Sequence, residues 1–328
     1  PEMTIVDFCG DIMIPGLIDL HVHGSSGADT MDGTEHSFKK MSKALLQQGT
    51  IAFLPTTMNA ASEQLKKIIS IGTEMLPAVN QAEILGFHME GPCISEHFLG
   101  AQQKVDTSDG PFLLGNGVKI VTLAPELPQS TEWILRAQEA GIIVSAGHSG
   151  ATYEQMLGFI EQGVQHVTHA FNAMPAIHHR MPGLLTAALL DPRVHIELIA
   201  DGIHIHPAVL ELALRLKSSE RVLLVSDGTR AVGMPEGEYD LGGRQVRMQK
   251  GRMLLPDGTL AGSAATLLDG VRFMTEVVGR PLYEAVRMAA LNPARLMGLG
   301  ERLGSLEPGR EATFLRLGPN LALKEVWV

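Results

Sequence analysis

What most constrains this chain is an alternation repeated along most of its length. A short apolar run rich in β-branched residues, bounded by Gly, Pro or polar residues, is followed by a stretch with helical periodicity. By that rule strands are predicted at residues 17–23, 50–55, 83–88, 118–123, 142–146, 166–170, 195–200 and 221–226, eight in all. Between them, 37–48 carries Phe38, Met41 and Leu45 on one side, and 207–217 opens with a proline suited to a first helical turn. Eight strands alternating with helices predict an α/β fold of the (β/α)8 TIM-barrel type, whose chemistry gathers at the C-terminal ends of the strands. With 328 residues, 45% of them hydrophobic, the chain is long enough for such a barrel and a small appendage.

After the eighth strand the alternation stops. Residues 238–260 are rich in Gly, Arg and short β-like pieces, and helices are expected near 266–278 and from Pro281 toward Asn292. A turn at 304–309 leads into strands that end with 323–328. Their expected partner is 3–13, which makes a small β domain from the two chain ends (1–14 and 304–328) beside a catalytic barrel spanning 15–303. There is no internal repeat and no low-complexity segment.

Composition narrows the function classes. A formal charge of -10 with no basic cluster disfavours nucleic acid as a partner. No apolar stretch reaches the length of a membrane span, and the first residues lack the order of a signal peptide, so a globular cytoplasmic protein is expected. Two cysteines far apart, Cys9 and Cys93, argue against a disulfide scaffold and read as small packing residues, although Cys93 lies three residues after Glu90.

The first predicted strand ends in His21-Val22-His23-Gly24. Side chains two apart on a strand point the same way, so both imidazoles face one side where the strand stops, an arrangement that suits a metal or a hydrogen-bonded loop. Other strand ends decide between the two. The third ends near His88-Met89-Glu90-Gly91, the fifth in Gly147-His148-Ser149, the sixth in Thr168-His169-Ala170 and the eighth in Ser226-Asp227-Gly228. Glu90, His148 and His169 form one carboxylate and two imidazoles at a common rim, the ligand set of a catalytic site that keeps a position open for water. His21 and His23 are candidates for a second ion bridged by Glu90. Such donors accept Zn, Fe, Mn or Co, with Zn and Fe favoured. Asp227 is placed to take a proton from water and return it to a leaving nitrogen; its competing reading is a turn aspartate before Gly228-Thr229.

With these residues in view, the chain resembles the N-acetylglucosamine-6-phosphate deacetylases of the amidohydrolase superfamily over nearly its whole length. The matching motifs are Pro-Gly-Leu-Ile-Asp-Leu-His-Val-His-Gly at 15–24, His-Met-Glu-Gly-Pro at 88–92, Thr-Leu-Ala-Pro-Glu at 122–126 and Ala-Gly-His-Ser at 146–149. Thr-His-Ala-Phe-Asn-Ala-Met-Pro at 168–175, Ala-Asp-Gly-Ile-His at 200–204, Val-Ser-Asp at 225–227 and Pro-Asp-Gly-Thr-Leu-Ala-Gly-Ser at 256–263 continue the match. The resemblance implies metal-dependent hydrolysis of N-acetyl-D-glucosamine 6-phosphate to D-glucosamine 6-phosphate and acetate, in amino-sugar catabolism and cell-wall sugar recycling. It implies that Glu90, His148 and His169 hold the principal metal and that Asp227 is the acid/base. It further implies that Asn172, Ala173 and Arg180 meet the sugar phosphate, with Arg180 reaching the neighbouring site across a homodimer. His204 would bond the sugar, and Ala101, Leu260, Ala261 and Gly262 would line the pocket. An arginine fork suits phosphate and supplies the positive charge an acidic chain otherwise lacks; a solvated surface arginine is the competing reading.

Three departures from the family pattern stand out. Many members carry histidine after Gly-Ala in the loop beyond Glu-Gly-Pro, where this chain has Gln102, which can donate a hydrogen bond to the acetyl carbonyl but carries no charge. Members also have more strands before Pro15 and a longer segment between Gln102 and Val118. The small β domain is therefore expected to be incomplete at its N-terminal end, with further residues absent near 102–118. Two other readings compete: another amidohydrolase, such as a cyclic amidase or deaminase, and a catalytically inactive sugar-phosphate-binding barrel. Against the first, the fourth strand offers Lys119 only at its start; against the second, a binding module needs no base beside a metal.

Overall fold

The computed structural model describes residues 7–75, 80–105 and 117–328. Eight parallel strands form a nearly closed barrel: Leu17–Val22, Thr50–Thr57, Phe87–Glu90, Val118–Leu123, Ile143–Ala146, His166–Val167, His195–Ile199 and Val222–Val225, each hydrogen-bonded to the next. The first two strands are buried along their whole length, as parallel strands covered on both faces must be. Three backbone bonds draw the first strand to the end of the eighth. Asp227 N–H donates to His21 C=O (2.9 Å), and the N–H groups of His23 and Gly24 both donate to Gly228 C=O (2.8 and 2.9 Å). The eight predicted strands are all present, and the barrel-type fold is the one expected.

The differences lie in the boundaries and have local causes. The predicted strand at 83–88 is broken. Glu83–Ile84 pairs with the second strand, and the barrel strand proper starts at Phe87 and ends on Glu90. The break falls at Gly86, whose φ of +135 and close approach to Gly117 C=O exclude a side chain: a Cβ there would lie 2.6 Å from that oxygen. The sixth strand stops at Val167, because the chain turns through His169 at φ +29. The helix predicted at 37–48 runs Glu35–Gln47, set back by a capping box between Thr34 and Ser37, with Phe38, Met41 and Leu45 buried. The helix opened by Pro207 ends at Leu216, because Lys217 is extended.

The excursion after the eighth strand is a four-stranded antiparallel sheet: Gly237–Leu241, Arg244–Gln249, Arg252–Leu254 and Leu260–Ser263. Its last strand returns to the barrel mouth, where Ser263 N–H donates to Asp227 C=O at 2.8 Å. The chain ends pair in a separate antiparallel sheet ordered Ile12–Pro15, Phe314–Leu317, Leu323–Trp327. Among the described residues the pairing run is 12–15, which includes Pro15 beyond the expected 3–13; residues 1–6 lie outside the described residues, as do 106–116 of the short segment singled out above. Asp11 ties this sheet together, accepting from Arg316 Nε at 2.6 Å and Lys324 Nζ at 2.7 Å.

Candidate active site

The candidate ligands are delivered by the ends of barrel strands: His21 and His23 by the first, Glu90 by the third, His148 by the fifth and His169 by the sixth, with Asp227 after the eighth. His148, His169 and Asp227 lie just past theirs with φ of +49, +29 and +49, a left-handed conformation that costs a non-glycine residue about 1–3 kcal/mol and recurs at functional sites. That turn aims the side chains back into the barrel mouth instead of along the strand. Glu90, the last residue of the third strand, sits at the centre. Its Oε1 is 2.9 Å from His148 Nε2 and 2.8 Å from His169 Nε2, and those two nitrogens are 3.1 Å from each other. Its Oε2 is 3.4 Å from His23 Nε2, and Asp227 Oδ1 is 3.2 Å from the same nitrogen and 3.4 Å from His21 Nε2. All six residues are buried.

The far ring nitrogens determine what these near ones can be. His148 Nδ1 faces Phe98 C=O at 2.8 Å, His23 Nδ1 faces Thr56 C=O at 3.2 Å, and His21 Nδ1 faces the Glu197 carboxylate at 3.0 Å. Each of these partners only accepts, so each Nδ1 is the donor and each ring, once its Nε2 carries no proton, turns a lone pair inward. Three lone pairs converging on two carboxylates repel one another unless a cation stands between them, and the donor set therefore fits a divalent metal. Glu90–His148–His169 and His21–His23–Glu90 each place their donor atoms within 4.8 Å of one another.

The electrostatics agree. Burial opposes charge on His21, yet Glu197, Glu90 and Asp227 raise it to about 9; His23 is raised well above its usual value by Asp227 and Glu90 against the same penalty. Burial likewise pushes Asp227 up, but the charge of His21 and the bond from His23 bring it down to about 2, and Glu90 is held well below the carboxylate range by His21 and His148. A field that favours protons on buried imidazoles favours a bound cation equally.

Beside this cluster opens a cavity of about 210 Å³. Of the residues expected to line the pocket, Ala101, Asn172, Ala173, His204, Leu260 and Gly262 do so, together with Gln102; Ala261 is fully buried behind them. Arg180 is exposed outside the cavity of its own chain, with its guanidinium 2.6 Å from His179 Nε2. Gln102 is held from both ends: Oε1 accepts from Asn59 N–H at 2.7 Å and Nε2 donates to Glu90 Oε2 at 2.5 Å. Its loop is latched to the four-stranded sheet by Arg244, which donates to the carbonyls of Ala101 and Gln102 at 3.1 and 3.2 Å.

Sequence reasoning missed the residues behind the ligands. Glu197 is a fully buried carboxylate in the apolar strand His195–Ile199, and that charge inside a strand buried on both faces was the available signal. Asp201 bonds His204 Nδ1 at 2.7 Å, so the other ring nitrogen of His204 is left for the cavity; three-residue spacing alone did not suggest it. Asn59, Arg244 and Thr56 gave no local sign.

An eight-stranded barrel with histidines and a carboxylate at its strand ends defines a metal-dependent hydrolase of the amidohydrolase type, and the chain belongs to the amidohydrolase family, whose profile matches residues 12–327. Within that family it is similar to N-acetylglucosamine-6-phosphate deacetylase of Vibrio furnissii, 37% identical over 325 residues that cover 96% of this chain and 81% of the relative. The crystal structure of the Pasteurella multocida N-acetylglucosamine-6-phosphate deacetylase superposes with a TM-score of 0.92 at 30% identity, covering 98% of this chain and 86% of that one. A Mycobacterium smegmatis variant in complex with N-acetyl-D-glucosamine-6-phosphate superposes with a TM-score of 0.90 at 31% identity, covering 97% and 85%.

Proposed function

We propose that this chain hydrolyses the acetamido group of N-acetyl-D-glucosamine 6-phosphate, releasing D-glucosamine 6-phosphate and acetate. The observation that carries this reading is the placement of the Asp227 carboxyl beside the Glu90–histidine cluster at the wall of the cavity. Glu90, His148 and His169 would hold the principal ion, Zn or Fe before Mn or Co, and His21 and His23 a second one sharing Glu90. A divalent cation held there lowers the pKa of water and polarises the acetyl carbonyl.

The chain's own groups supply the rest. Asp227 accepts the proton of the attacking water as its oxygen adds to the acetyl carbon, then passes that proton to the amine nitrogen as the C–N bond breaks. Gln102 has one amide hydrogen committed to Glu90 and a second for the carbonyl oxygen, where charge develops. His204, oriented by Asp201, serves the sugar hydroxyls. Asn172 and Ala173 meet the phosphate, completed by Arg180 from a second copy in a homodimer; the phosphate contacts fix the acetamido group for attack.

Acetate release by the metal-loaded protein tests the assignment. N-Acetyl-D-glucosamine 6-phosphate is expected to turn over faster than its unphosphorylated form and than N-acetyl-D-galactosamine 6-phosphate. Equal rates with and without phosphate would remove Arg180 from the site, and no acetate from any of the three would refute the reaction.

A further inference from the structure

Glu197 is the one charged side chain of the seventh barrel strand, and it is fully buried beneath the ligand cluster. Its Oε2 accepts two bonds: from His21 Nδ1–H at 3.0 Å and from the backbone N–H of His169 at 3.0 Å. Among the described residues its Oε1 has no partner within hydrogen-bond reach, and it faces His166 Nε2 at 3.6 Å. His166 is bonded instead through Nδ1 to Ser145 Oγ at 2.8 Å, so it does not draw the carboxylate away from His21.

We propose that Glu197 is the positioning residue that makes His21 a metal ligand, and thereby sets whether the His21/His23 pair holds a second cation. The inference rests on the metal assignment proposed above. A buried carboxylate with one unsatisfied oxygen is an expensive core residue, and packing alone would favour an apolar side chain of that size. What it does locally is specific. By accepting from Nδ1 it holds His21 in the tautomer whose Nε2 lone pair faces Glu90 and Asp227, and it makes that nitrogen a stronger donor. His23 and His148 are oriented by neutral backbone carbonyls, whereas His21 alone of these three is backed by a carboxylate. The same oxygen holds the backbone of His169, a ligand of the principal ion, so one atom fixes the relative placement of both ligand groups.

The test is metal binding by the whole chain, stripped with chelator and retitrated with Co²⁺ and Zn²⁺. Bound ions are counted by elemental analysis, and the Co²⁺ d–d absorption reports the ligand field. The original protein should bind two ions per chain. Glu197→Gln keeps an oxygen for both hydrogen bonds but removes the charge, and should weaken the second ion about 10- to 100-fold. Glu197→Leu should lose it altogether while retaining the first. Because Glu197 acts on the second ion through His21, Glu197→Leu should cause no further loss of second-ion binding in a His21→Asn background.

Two ions bound by Glu197→Leu with unchanged affinity, a further loss of second-ion binding when the two substitutions are combined, or one ion in the original protein would each overturn the proposal. If Glu197→Leu fails to fold by circular dichroism, Glu197→Gln decides, with unaltered second-ion affinity counting against it. Two ions bound without acetate release would instead refute the deacetylase reading and leave this one standing.

Discussion

Asp227 and its imidazole neighbours set the acid–base behaviour expected of the site. Replacing Asp227 by Asn removes the proton carrier while keeping shape, so turnover should fall about 10²- to 10⁴-fold with substrate binding retained in calorimetry; near-normal turnover would end that role. Against the cost of burial, His21 and His23 hold the Asp227 carboxyl down to about 2, so in the metal-free chain it is ionised at neutral pH. His21, raised to about 9, holds a proton at neutral pH until a cation displaces it. Metal uptake at pH 7 should therefore release protons, and affinity should fall as pH falls, because protons and cation compete for the same nitrogens. An indicator dye in weak buffer reads this directly, and its silence on zinc addition would contradict the assignment. The cysteines separate just as sharply. Burial pushes the Cys93 thiol up to about 12, whereas Cys9 is exposed, so the native chain should give one fast-reacting thiol and the unfolded chain two.

At the scale of elements, the strand Leu260–Ser263 carries the excursion sheet back to Asp227. Gly262 lies there at φ +66, where a Cβ would come within 2.9 Å of Asp227 C=O and 2.7 Å of Thr229 Cγ2. Gly262→Ala should displace Asp227 and lower kcat about 100-fold, while calorimetric melting shows the barrel still folded; unchanged kcat would show that this strand does not position the acid/base. The chain-end sheet makes a prediction of opposite kind. Asp11 is held below its usual pKa by the bonds from Lys324 and Arg316, so its contribution to stability is present above the unfolded carboxylate value and is lost as pH falls through the lower folded one. Asp11→Asn should flatten the acid dependence of melting between those values without altering kcat.

These elements also show what could be read in advance. Strand positions were legible because burial on both faces leaves continuous apolar runs, but their ends were not. Gly86 splits the third strand through a close approach to Gly117, and His169 ends the sixth through a left-handed turn. Both events depend on neighbours that no local pattern records.

For the whole molecule, the proposed placement of Arg180 makes each site a joint product of two chains. Arg180→Ala and Asp227→Asn should each be nearly inactive alone. Mixed and allowed to exchange, they should recover activity, since about half of the resulting dimers pair an intact Asp227 with an intact Arg180 at one site. No recovery despite proven exchange would return Arg180 to its own chain or to solvent. The long-range bonds explain why the site is otherwise complete within one chain: the first strand, the seventh and the turn after the eighth meet at His21, Glu197 and Asp227, drawn together by barrel closure.

The sequence by itself determined the barrel class and the chemical types at the strand ends, because strand period, turn residues and short histidine and carboxylate motifs are local properties. Only the tertiary structure decided which donors share an atom, that Gln102 is bound to Glu90, and that Glu197 stands behind His21. That last pair is 176 residues apart in the chain. Its 3.0 Å contact follows from the curvature and register of eight strands taken together, which no segment encodes alone.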